Sequence, residues 1–119
     1  MSSLPLEGIQ IIDIGTMTAG PYAGKFLGDL GAEVIKVEPE SGEVCRNLGL
    51  RFGNTGYLFH ANNYNKKSIT LNVQEEEDRQ RFLKLVSESD VLIENFATGT
   101  MAKWGLGFDD CVKVNPHLI

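Results

Sequence analysis

Metal and thiol chemistry have little to work with in this chain: its 119 residues include two histidines, two cysteines and one tryptophan. His60 and His117 stand alone, without partners at ligand spacing, so neither makes a metal site or a catalytic triad. Cys45 and Cys111 are far apart and form no CxxC pair, which predicts free thiols in a cytoplasmic chain rather than a disulfide framework. Positive charge is also scarce. Eleven Lys and Arg against sixteen Asp and Glu give a net charge of −5, which argues against nucleic acid as the main partner. No apolar run approaches the roughly 18 residues that span a bilayer, so no membrane partner is expected. The start, MSSLPLEG, lacks the basic and apolar stretches of a signal peptide.

What remains is an ordinary globular composition, 42% hydrophobic and 23% charged. A chain of this size is one domain's worth and buries roughly two thirds of its unfolded surface.

The organising stretch runs from Ile9 to Glu38. Ile9, Ile11, Ile12 and Ile14 form a β-branched run suited to a parallel strand covered on both faces. Gly15 and Gly20 bracket a turn, and Pro21 suits a first helical position. Ala23, Phe26, Leu27 and Leu30 follow at i, i+3, i+4 and i+7, which predicts the buried face of a helix ending at Gly31. Val34, Ile35 and Val37 supply the next strand. This is a βαβ unit, expected to cross over right-handedly.

The rest reads as additions to that sheet. Residues 40–56 carry four glycines and predict a long surface loop, with Arg46 and Arg51 as candidate anion ligands or solvated charges. The type of Tyr57–Asn63 is open. Lys67–Val73 alternates as a strand, and 75–88 reads as a helix whose acidic start suits the dipole better than a metal. Asp90–Glu94 predicts a further strand, followed by the turn 95–99 and a short helix through Met101 and Trp104. Residues 109–114 read as one more helical turn, with Asp109 and Asp110 as caps rather than a catalytic pair. Asn115-Pro116 then precedes His117-Leu118-Ile119, a segment patterned as the beginning of a strand, so the whole reads as the front part of a longer chain.

The Gly15–Gly20 turn fails two nucleotide tests. Gly20 is followed by Pro21-Tyr22 rather than Lys-Ser/Thr, so it is not a P-loop. Met17 stands where a dinucleotide fingerprint needs its second glycine, so Glu38 does not mark an NAD site and an oxidoreductase is disfavoured. The helix start beyond the turn still favours an anionic or polar ligand. Lys66-Lys67 reads either as a phosphate contact or as a solvated strand entrance, and Phe96 and Trp104 either as stacking platforms or as core.

Taken together, LEGIQIIDIG, AGPYAGKFLGDLGAEVIKVE, NKKSITLN, DVLIENF, GLGF and NPHLI resemble the family III CoA-transferases, in the same order and spacing over essentially the whole chain. The resemblance implies an α/β, Rossmann-like doubly wound fold with a mainly parallel sheet, truncated after the start of a further strand. Residues 1–119 would be the N-terminal CoA-binding part of a large domain. It also implies acyl-CoA and a carboxylic acid as substrates, no metal, and an interlocked homodimer of the full-length chain. Carried over residue by residue, CoA contacts fall at Met17, Thr18 and Ala19, at Leu71, Asn72, Val73 and Gln74, at Asn95, Phe96 and Ala97, and at Lys103. Four positions depart from the formyl-CoA transferase pattern: Pro39 replaces an arginine, Thr18 a glutamine, Lys103 an arginine, and Ala97-Thr98-Gly99 lacks the usual proline. These point away from formyl-CoA without affecting CoA binding. The family's aspartate nucleophile, which gives a mixed anhydride, has no counterpart before Ile119, so no catalytic residue is assigned and the chain alone is expected to be inactive. An α-methylacyl-CoA racemase of the same fold and a non-catalytic CoA- or nucleotide-binding module are the alternatives.

Overall fold

A computed structural model describes residues 3–119. Four strands, β1 (Gln10–Asp13), β2 (Glu33–Glu38), β5 (Lys67–Thr70) and β6 (Val91–Ile93), form one wholly parallel sheet in the order β5-β2-β1-β6. Numbering only these strands, the order is 3-2-1-4, as in Rossmann sheets. Helix α1 (Ala19–Asp29) joins β1 to β2, and α3 (Glu76–Ser87) joins β5 to β6. Within residues 40–56 the expected loop contains a 3₁₀ turn (Val44–Asn47) and a small hairpin, β3 (Arg51–Phe52) with β4 (Thr55–Gly56). The unassigned Tyr57–Asn63 is helix α2. Short helices α4 (Thr100–Lys103) and α5 (Phe108–Val114) complete the chain.

Alternation along the central strands sends side chains to two separate cores. Ile12 and Val37 face α3, α4 and α5, packing with Phe82, Val86, Met101, Leu106 and Cys111. Ile11 and Val34 face the other side with Ala32 and Leu27. Both faces are covered, hence the near-continuous apolar strands. Asp110 accepts a hydrogen bond from the Gly107 N–H at 3.1 Å, the capping role expected of it. Cys45 and Cys111 are free and buried.

Three local expectations change. Helix α1 starts at Ala19 rather than Pro21. Of the expected inward row, Leu27 packs on the Ile11–Val34 core and Leu30 is partly buried, but Ala23 is exposed and Phe26 is 53% exposed. The helix instead turns its glycine row inward. A Cβ on Gly20 would lie 2.9 Å from Asn95 Oδ1, one on Gly24 3.3 Å from Asp13 Oδ2, and one on Gly28 2.8 Å from Asn65 Nδ2. Helical periodicity registers apolar bulk and is blind to a face built from missing side chains. His117–Ile119, finally, is not assigned as a strand. Ile119 nevertheless donates to Asp90 O (3.0 Å) and accepts from the Leu92 N–H (2.9 Å), along the free edge of β6.

Phe82 is fully buried, whereas Phe26 is more than half exposed. Phe82→Ala should therefore cost about 3–5 kcal/mol in chemical denaturation, while Phe26→Ser should stay within about 0.5 kcal/mol of the parent. Equal losses would contradict the glycine-faced packing of α1.

Candidate functional site

In a parallel sheet of this order, the chain runs from β1 to one side and returns to the other through β6. Their carboxyl ends diverge, leaving a crevice where open α/β sheets bind ligands. Here that crevice is lined by Gly15 and Thr16 after β1, Pro39 after β2, Leu71–Gln74 after β5, and Phe96 and Trp104 beyond β6. Its cavity volume is about 140 Å³, below the roughly 300–1,000 Å³ of a complete ligand pocket, so it suits one end of an extended ligand. Phe96 and Trp104 meet edge to face at 5.1 Å, and both also pack against the α3 core. The two readings of these aromatics, core and crevice wall, therefore hold together.

The turn after β1 is held by side chains at every backbone group of three consecutive residues. Gly15 N–H donates to Asp13 Oδ1 (2.8 Å), and its carbonyl accepts from Lys36 Nζ. Thr16 N–H donates to Asn95 Oδ1 (2.8 Å), and its carbonyl accepts from Asn95 Nδ2 (2.9 Å). Met17 N–H donates to Glu43 Oε1 (2.8 Å), and its carbonyl accepts from Asn62 Nδ2 (3.3 Å) and the Cys45 thiol (3.7 Å). By contrast, the first N–H groups of α1 have no intrahelical acceptor.

Beneath the turn lies a charged cluster. Asp13 and Lys36, register partners on adjacent strands, are 3.5 Å apart and essentially inaccessible. The Lys66 side chain, 1% exposed, donates to Asp13 Oδ2 (2.7 Å), Pro21 O (2.6 Å) and Asn63 Oδ1 (2.8 Å). Burial holds its pKa below the usual lysine range, against the pull of Asp13. Lys66 is thus neither a phosphate contact nor a solvated charge. Lys67 is the exposed member of the pair and meets Glu33 at 2.6 Å.

Glu38 ends β2 as the hub of a second network. Arg46 reaches its two carboxylate oxygens with two bonds of 2.6 Å, Ser68 donates at 2.7 Å and the Glu43 N–H at 2.9 Å. Burial alone would raise the Glu38 pKa, but these donors together hold it down, from 4.5 to about 2. Arg46, stacked 3.8 Å above the Phe59 ring, is committed to Glu38 rather than free for an anion.

Of the residues expected to contact a ligand, Leu71, Asn72, Val73, Gln74 and Phe96 come together in the crevice wall. Met17, Thr18 and Ala19 are exposed beside it, with Gly15 and Thr16 as the turn's wall residues. Ala97 and Lys103 are exposed and lie outside the wall, and the Asn95 side chain is taken up by Thr16. Sequence reading missed Asp13, Lys36, Glu43 and Asn62. The available signal was a charge inside each of two apolar strand runs.

A family model described as CoA-transferase family III matches residues 6–119. This chain belongs to CoA-transferase family III. Among its relatives, the succinyl-CoA–L-malate CoA-transferase beta subunit of Chloroflexus aurantiacus is 44% identical over 99% of this chain and 30% of its own length. Succinyl-CoA:glutarate CoA-transferase of Mus musculus is 43% identical over 99% of this chain and 28% of its own length. A crystal structure of a CaiB/BaiF family protein from Brucella suis superposes with a TM-score of 0.92 at 39% identity, covering 99% of this chain and 32% of that one. The chain thus spans about three tenths of the length of these relatives.

The depressed Glu38 pKa sets a pH signature. A carboxylate whose folded pKa is lowered stabilises the fold above its unfolded pKa and loses that contribution as pH falls through the folded one. The stability advantage of the parent over Glu38→Gln should therefore be complete above about pH 4.5 and vanish towards about pH 2. A difference independent of pH in urea denaturation would contradict the network.

Proposed function

We propose that the chain is the N-terminal coenzyme A-binding portion of a CoA-transferase, one that moves CoA between an acyl-CoA and a carboxylic acid. The observation that carries this reading is the crevice at the switch point, walled by Leu71–Gln74 and Phe96 beside the free N–H groups of α1, in a chain of this family. The crevice takes one end of the carrier, with Phe96 and Trp104 offering aromatic surface for a base. The first-turn amides at Thr18, Ala19 and Gly20 favour its phosphates. Lys103, one helix further on, adds a point charge rather than a bidentate fork.

In the complete protein, an aspartate carboxylate would attack the thioester carbonyl. The C–S bond would break, CoA would leave as thiolate, and the acyl group would remain as a mixed anhydride with the enzyme. No residue of this chain is assigned that role. The relatives named above are transferases, which favours transfer over the racemase alternative. The full-length protein is proposed to form an interlocked homodimer, and the two unpaired thiols fit a cytoplasmic setting.

Calorimetric titration of the chain with CoA should give measurable binding, which adenosine 3′,5′-bisphosphate should compete away. Lys103→Ala should weaken binding by about 1–2 kcal/mol at low salt, with the loss shrinking as salt rises. Absence of both heat and thermal shift at millimolar CoA would contradict the reading. The pure chain should show no transferase turnover.

A further inference from the structure

Met17 is the one non-glycine residue with a positive φ (62°) among the described residues. A left-handed backbone is strained for a side-chain-bearing residue and persists where surrounding contacts over-determine it. Those contacts converge on the two peptide groups of Met17. Asn62 and Cys45 reach its carbonyl, but only Glu43 meets its N–H.

Glu43 is 2% exposed, although it sits in a segment that reads as a surface loop. Its own N–H is tied to Glu38, which Arg46 grips with two bonds, so the Glu43 backbone is anchored independently of the turn. One carboxylate oxygen accepts from Met17, while Oε2 has no partner. A buried carboxylate serving a single hydrogen bond is costly. Its charge has a second use nearby: Asp13 faces two buried lysines, Lys36 and Lys66, and Glu43 acts on Lys66 as an additional negative charge.

We infer that Glu43 is a positioning residue for the ligand-binding turn: its bond to the Met17 N–H holds the left-handed backbone that directs the Thr18 and Ala19 amides towards the crevice mouth. The link to ligand affinity rests on the CoA-binding reading above. The link to the turn does not.

Two measurements separate them. In the ligand-free chain, amide hydrogen exchange followed by NMR should show Met17 protected, with Glu43→Ala lowering that protection at least about tenfold. Phe82 and Val86, buried in the α3 core, should remain protected in the variant. CoA affinity should fall about tenfold in Glu43→Ala. Glu43→Gln keeps an acceptor for Met17, so it should restore both protection and affinity to within about threefold. Because Met17→Gly relieves the backbone strain, Glu43→Ala is also made in that background, where the affinity loss should be smaller. Unchanged Met17 exchange in Glu43→Ala would overturn the inference. So would Glu43→Gln failing as badly as Glu43→Ala, loss of protection with unaltered affinity, or a chain that unfolds with Glu43→Ala in both backgrounds. If the unaltered chain takes up no CoA, the functional reading falls, and Met17 exchange alone decides the role of Glu43.

Discussion

The turn Gly15–Thr16–Met17 has all six of its backbone N–H and C=O groups occupied by side chains from six positions spread between residues 13 and 95. Most of the remaining architecture is what that arrangement requires. Asp13 and Lys36 must sit at facing positions of β1 and β2, so those strands must pair in the observed register. Asn95 must follow β6 directly, so β6 must lie next to β1. A turn held by its own side chains needs little ordering on binding, and a site built on it would keep more of its interaction energy as affinity.

This placement has an electrostatic cost. Asp13, Lys36 and Lys66 are withdrawn from water, and breaking such a set by removing one partner typically costs about 3–5 kcal/mol, because a buried charge is left uncompensated. The cost is limited by saturation. Lys66 donates three hydrogen bonds, and the Asp13 oxygens are divided between the Gly15 amide and the lysines. Packing follows from the same demand. With polar heads gathered under its first turns, α1 approaches through Gly20, Gly24 and Gly28, because any Cβ there would press on Asn95, Asp13 or Asn65. An apolar helix face in that position could not have accommodated the buried charges.

The parallel α/β sheet was legible because its signals are local. β-branched runs, an acidic helix start at Glu76–Asp78 and strand alternation in Lys67–Thr70 each describe their own element. The wall segment Leu71–Gln74 and Phe96 was legible through family motifs, which lie at strand carboxyl ends. What escaped is long-range. Lys66 reads in sequence as a surface lysine, and only its 53-residue reach to Asp13 makes it internal. Arg46 reads as a free cation until Glu38, eight residues earlier, is seen to claim it. Asn95 reads as a ligand contact, and only its 79-residue span to Thr16 shows that one donor and one acceptor of its amide also hold the turn. The face of α1 was misread because glycine contributes nothing to a hydrophobic period.

On the proposed function, a turn locked by its own side chains presents free amides to a CoA end seated in the switch-point crevice. Titrating ¹⁵N-labelled chain with CoA and following amide shifts tests this most directly. The largest shifts should fall on Thr18, Ala19, Asn72, Val73, Gln74 and Phe96, with Gly15 and Thr16 moving less because their amides are already engaged. Shifts centred elsewhere, such as the β5 edge groove near Arg81 and Lys84, or a general broadening that includes Gly15–Met17 and signals an ordering turn, would contradict it.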